Sequence, residues 1–135
     1  MTRSAPSARQ PVYVTGKARH VSERDPTDGA SSYDGASEGE RLHVQLAPEP
    51  DFPISGAVAL RAPDGGLLGY LGAGAAAVYH PLLVRAAALG YEIHAAARFE
   101  LVALGAMTVA VWLPEPEELA SWLDLPPEAR DENFR

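Results

Sequence analysis

From Tyr91 to Leu113 the chain reads YEIHAAARFELVALGAMTVAVWL, and its apolar residues recur at every second position. Tyr91, Ile93, Ala95, Ala97, Phe99 and Leu101 fall on one side, and His94 lies on the other. Successive side chains of a strand point to opposite faces, so this period of two describes a strand with one buried face. Gly105 ends the run, after which Met107, Val109, Val111 and Leu113 form the inner face of a final strand. The two segments read as a long hairpin. Such a hairpin is marginal alone, so the rest of the chain must supply more strands or a helix to cover its apolar face.

The remaining segments supply both. Arg41–Leu46 (RLHVQL) alternates cleanly, with Leu42, Val44 and Leu46 inward and Arg41, His43 and Gln45 outward. Three prolines in APEPDFP then forbid a regular ladder. Strand character resumes at Ala57–Ala62, turns at PDGG and returns in Leu67–Leu71, an arrangement in which glycine supplies the positive φ of a hairpin. The β-branched and aromatic run Pro11–Thr15, closed by Gly16, makes a first strand.

Two stretches change period. Residues 72–89 place Val78, Leu82, Arg85 and Leu89 at helical spacing, but Pro81 lacks an amide donor, which predicts two short helices meeting there. After Leu113, early Pro and Glu with Leu119, Trp122 and Leu123 in helical register predict a short amphipathic helix. The expected fold is therefore mainly β with flanking helices: a small, partly open six-stranded barrel, a bent helix after the fourth strand and a short C-terminal helix. Residues 1–10 read as a disordered leader, 11–125 as one domain, 21–40 as a flexible loop anchored by Tyr33, and 126–135 as a frayed tail.

Composition narrows the functional classes. With 135 residues and 24 alanines among its apolar set, the chain fits one modest core rather than a large enzyme. The absence of cysteine excludes disulfides, thiolate metal sites and cysteine nucleophiles. No apolar run is long enough to span a membrane, and the N-terminus lacks a signal-peptide core, so the default compartment is the cytoplasm. The formal charge of −7 argues against binding nucleic acid by bulk charge, although the acidity concentrates in residues 114–135.

Little in the sequence points to catalysis, a metal or a cofactor. His20, His43, His80 and His94 show no metal-ligand spacing, and His43 and His94 belong to solvent faces of strands. Gly66, Gly69, Gly72 and Gly74 match no phosphate-loop pattern. Glu115, Glu117 and Glu118 suit a first helical turn, where acids complement the helix dipole. What remains is a basic group after the first strand: Lys17, Arg19 and His20, with Arg24 nearby.

From the second strand onward, LHVQLAPEPDFPISGAVALRAPDGGLLGYLGAGAAAVYHPLL resembles a HIRAN domain. Glu49, Pro50, Asp51 and Pro53 match the start of that family's acidic, Pro-rich segment. Ala57, Val58 and Leu60 match its next strand, and Gly69, Tyr70 and Leu71 match its GYL element. The resemblance implies an OB-like barrel and a non-catalytic module that captures the 3′ end of single-stranded DNA in repair or fork processing, with a helicase or nuclease as partner. It places Lys17, Arg19, His20, Ser55 and Tyr70 at the nucleic-acid site. Ile54 and Ser55 stand where the family carries a Tyr-Asp pair, so a carboxylate and a stacking ring are missing there. The alternative is a protein-interaction module that has lost the DNA pocket, with Trp112 joining Trp122 in an exposed patch or lying beneath the terminal helix.

Overall fold

A computed structural model describes residues 9–22, 38–49, 56–101 and 107–130. Its elements are β1 (Gln10–Val14), β2 (Ala18–Val21), β3 (Arg41–Glu49), β4 (Ala57–Arg61), β5 (Leu67–Tyr70), α1 (Ala73–Ala88), β6 (Tyr91–Leu101), β7 (Met107–Leu113) and α2 (Pro116–Asp124), with a 3-10 turn at Pro127–Ala129. The strands form one sheet in the order β2-β7-β6-β3-β4-β5. The alternating run β6 is its hub. β3 runs antiparallel along one side, while the other side is shared by β1, parallel beside Tyr91–Ala95, and β7, antiparallel beside Ala97–Leu101.

The sheet curls until β5 approaches β7, giving a half-barrel of OB-like shape flanked by two helices. Period two sends Val12 and Val14, Val44 and Leu46, Val58 and Leu60, Ile93 and Phe99, and Val109, Val111 and Leu113 into one core. Ala76, Tyr79, Leu83 and Ala86 form the buried stripe of α1. They meet a sheet lined by Ala95 and Ala97, where small side chains allow close approach of helix and strand. The Asp64–Gly66 turn behaves as its sequence demands: Gly65 has φ +92°, and the Gly66 amide donates to the Asp64 carboxylate at 2.8 Å.

Four expectations change. A seventh strand, Ala18–Val21, pairs with β7 because Gly16 lets the chain cross it closely; a Cβ on Gly16 would lie 2.2 Å from the Trp112 carbonyl oxygen. α1 continues through Pro81 as one helix. Pro81 is exposed and removes the amide that would bond the Ala77 carbonyl, a cost of about 3 kcal/mol that the buried stripe offsets. The tail is partly docked, since Arg130 donates to the Leu123 carbonyl at 3.1 Å and lies 5.4 Å from the Tyr91 ring centre. Gln10, assigned to the leader, already belongs to β1. Most of the 21–40 loop lies outside the described residues.

α2 caps the inner side. A capping box joins Glu115 and Glu118, and Leu119, Trp122 and Leu123 are buried. Trp122 is 6 % exposed and packs against Tyr91, so it forms no surface patch with Trp112. Among the described residues no helix is long and apolar enough to cross a membrane.

Candidate nucleic-acid interface

The helices occupy one face of the sheet; the other carries the alternate, outward set. Tyr13 on β1 is 48 % exposed, because its neighbours Val12 and Val14 take the core positions. Its ring meets His43 of β3 edge-on at 5.1 Å and tilts against His94 of β6 at 5.2 Å. His94 is fixed in turn by Glu92, 2.9 Å from its Nε2. Three rings from three strands thus meet on the solvent face.

Beside them lies a depression of about 520 Å³, lined by Arg41, His43, Ala96, Arg98 and Trp112. Its shape follows from register. Ala96 faces His43 across the β3–β6 ladder, and Trp112, one step beyond the Ala97–Val111 pair, stands on its other side. A methyl group between two rings leaves a hollow. At one end Arg41 and Arg98 are direct cross-strand partners. The Arg98 guanidinium sits 5.3 Å from the Trp112 ring centre, within cation–π range.

Glu100 organises the cations. Arg98 donates to its Oε2 at 3.0 Å and Arg19 donates to its Oε1, reaching across β7. The Arg19 bond, then the Arg98 bond, hold the Glu100 carboxyl below its ordinary value. Arg41 brings a third guanidinium to this region, where Glu38 also lines the adjoining hollow, so three arginines gather on this face although the chain is acidic. The acids of α2 lie on the opposite side: Glu115, Glu117 and Glu118 add to burial in raising the Tyr79 hydroxyl to about 12.

Of the residues expected at the site, the described ones are not all brought together. Lys17 is exposed in the β1–β2 connection, and Arg19 lies on the outer face beside its register partner Trp112. His20 points the other way. It is half-buried, its ring meets Tyr79 edge-on at 5.9 Å, and its Nε2 is buried without a hydrogen-bond partner among the described residues. Burial lowers its pKa, with Glu115 opposing the shift. Alternation along β2 alone separates Arg19 from His20. Tyr70 is half-buried on β5, at the far end of the strand order, and pairs with Ala59. Ser55 lies outside the described residues.

The rings that do converge, Tyr13, His43, His94 and Trp112, carried a signal in the sequence. Each occupies an outward position of an alternating strand, where a solvated polar residue suffices and an aromatic ring has no packing duty. Among the described residues no group of three His, Asp or Glu side chains could hold a metal ion. Comparison with known protein families, with curated proteins and with solved structures found no match.

Proposed function

We propose that this chain is a non-catalytic, HIRAN-like module that binds single-stranded DNA across the outer face of its half-barrel. The observation that carries the reading is Tyr13, a half-exposed ring set between His43 and His94 on a face that also bears Arg19, Arg41 and Arg98. Aromatic rings on a sheet, interleaved with cations, hold single strands by base stacking and phosphate attraction, and every base offers a π-face. The family resemblance supports the same class and suggests a 3′ end as the preferred target and a helicase or nuclease as the partner served.

The reading relocates the site. Arg41, Arg98, Tyr13 and Trp112 replace His20 and Tyr70 as the main contacts, with Arg19 and Lys17 at the margin. Titration of a fluorescently labelled ten-nucleotide strand with the full chain tests it. Binding at low salt with a Kd of about 10⁻⁴–10⁻⁶ M is expected, weakening with a log–log salt slope near −2 if about three phosphates are neutralised. Tyr13→Ala should cost about 1–3 kcal/mol of binding, the contribution of one stacked base. No anisotropy change at about 50 mM salt, where phosphate contacts are strongest, sinks the reading.

A further inference from the structure

We propose that the depression over Ala96 is a mononucleotide site, with a base lying between His43 and Trp112 and its phosphate held between Arg41 and Arg98. The inference rests on the reading above and deepens it, assigning one nucleotide of the strand to a defined seat.

Three features converge on this ligand. The first is the cross-strand pair Arg41–Arg98. Like charges directly opposite in a sheet destabilise it; of the carboxylates nearby, Glu100 is divided between Arg98 and Arg19, and Glu38 lines the adjoining hollow with Arg41 and Arg98. Among the described residues Arg41 has no ion pair and Arg98 shares Glu100 with Arg19, so the cross-strand pair is a cationic fork that is only partly compensated. Guanidinium groups match phosphate oxygens in a bidentate, planar geometry that a lysine cannot reproduce.

The second feature is the floor. Ala96 is exposed on a strand whose other outward neighbours are His94 and Arg98, and its methyl group leaves the space between His43 and Trp112 open. A volume of about 520 Å³ falls within the range of small-molecule sites, roughly 300–1,000 Å³. The third is Trp112 itself. Its ring already attracts the Arg98 guanidinium at 5.3 Å, so the phosphate-binding and base-stacking groups are held in contact before a ligand arrives. A peptide carboxylate would satisfy the cations but leave the two rings unused; a nucleotide engages both.

The experiment uses the intrinsic fluorescence of the full chain. Trp122 is buried on the opposite side, so Trp112 reports on the depression. Titration with deoxyadenosine 5′-monophosphate should quench saturably, whereas deoxyadenosine and inorganic phosphate should each bind at least about tenfold more weakly. Ala96→Leu should weaken nucleotide binding by about tenfold or more without lowering the unfolding midpoint. Arg41→Gln should also weaken it while the midpoint holds or rises, because a like-charge pair is removed; an arginine with only a structural role would show the reverse. Absence of saturable quenching up to about 10 mM nucleotide, phosphate binding as tight as the nucleotide, or full affinity in Ala96→Leu would each overturn the proposal. The labelled ten-nucleotide strand separates the two readings. Unchanged strand binding by Ala96→Leu leaves the DNA module and removes the seat, and nucleotide binding without strand binding does the opposite.

Discussion

Arg19 of β2 and Glu100 of β6 are joined by a salt bridge that passes over the intervening strand β7, and Arg98 donates to the same carboxylate at 3.0 Å. The bridge ties the edge strand to the centre of the sheet on the face proposed to meet DNA. Because Arg19 and Arg98 hold the Glu100 carboxyl below its ordinary 4.5, the unfolded chain binds a proton there before the folded chain does. The stability from this carboxylate is therefore complete above about pH 4.5 and is lost as pH falls through the lowered value. Glu100→Gln should cost about 1 kcal/mol at pH 7, the scale of partly exposed ion pairs, and progressively less as pH falls below 4.5. Urea unfolding of both proteins across that range checks it; a difference independent of pH contradicts it.

His20 should give a second, separate slope. Its ring is half-buried against Tyr79, burial lowers its pKa, and the nearby Glu115 only partly opposes that effect. Tyr79, raised to about 12, stays neutral throughout. Below the ordinary value of 6.5 the unfolded chain takes up a proton that the folded chain resists, so stability falls as pH drops from there. His20→Phe, which retains a ring and removes the titration, should flatten the fall in unfolding midpoint between pH 8 and pH 5.5. An equal fall in both proteins would remove His20 as its source.

Two glycines should respond oppositely to alanine. At Gly16 the new Cβ would meet the Trp112 carbonyl oxygen at 2.2 Å and the Leu113 nitrogen at 2.3 Å, and backbone atoms cannot swing aside. Gly16→Ala should destabilise by about 1–3 kcal/mol, as overpacking does, and loosen β2 from β7. At Gly74 nothing lies within 4 Å, so Gly74→Ala should stabilise α1 by up to about 1 kcal/mol. Equal effects in chemical denaturation would mean that the crossing at Gly16 is not tight.

Pro81 offers a gain. It sits exposed inside α1, and the buried residues Tyr79 and Leu83 on either side hold the helix together across it. Pro81→Ala restores an amide to the Ala77 carbonyl and should stabilise the fold by up to about 3 kcal/mol. A lower thermal midpoint for the variant would show that the proline conformation is required by the packing.

These residues also mark where the sequence was readable. Period two in Arg41–Leu46 and Tyr91–Phe99 assigned every inward side chain correctly, because a one-residue slip would have put the whole apolar set in water. Leu119, Trp122 and Leu123 were equally plain, their helical spacing matching one buried stripe. Ala18–Val21 carries no such signal, because an edge strand formed by a close backbone crossing at Gly16 needs no apolar alternation of its own. The helix through Pro81 is hidden in the sequence because tertiary burial overrides a local penalty. The site was the least legible part. Lys17, Arg19 and His20 are adjacent in sequence, yet a strand turns neighbours to opposite faces, whereas Tyr13, His43, His94 and Trp112 meet only once four strands are set in register.

The central claim is that the outer face around Tyr13 binds a single strand, and residue-by-residue NMR tests it most directly. The full chain, titrated with a ten-nucleotide strand at low salt, should show shifts concentrated at Tyr13, His43, His94, Ala96 and the Trp112 indole, saturating together and needing roughly 5- to 150-fold more strand in Tyr13→Ala. An unchanged spectrum, or shifts confined to Tyr70 and the β5 edge, would contradict the account.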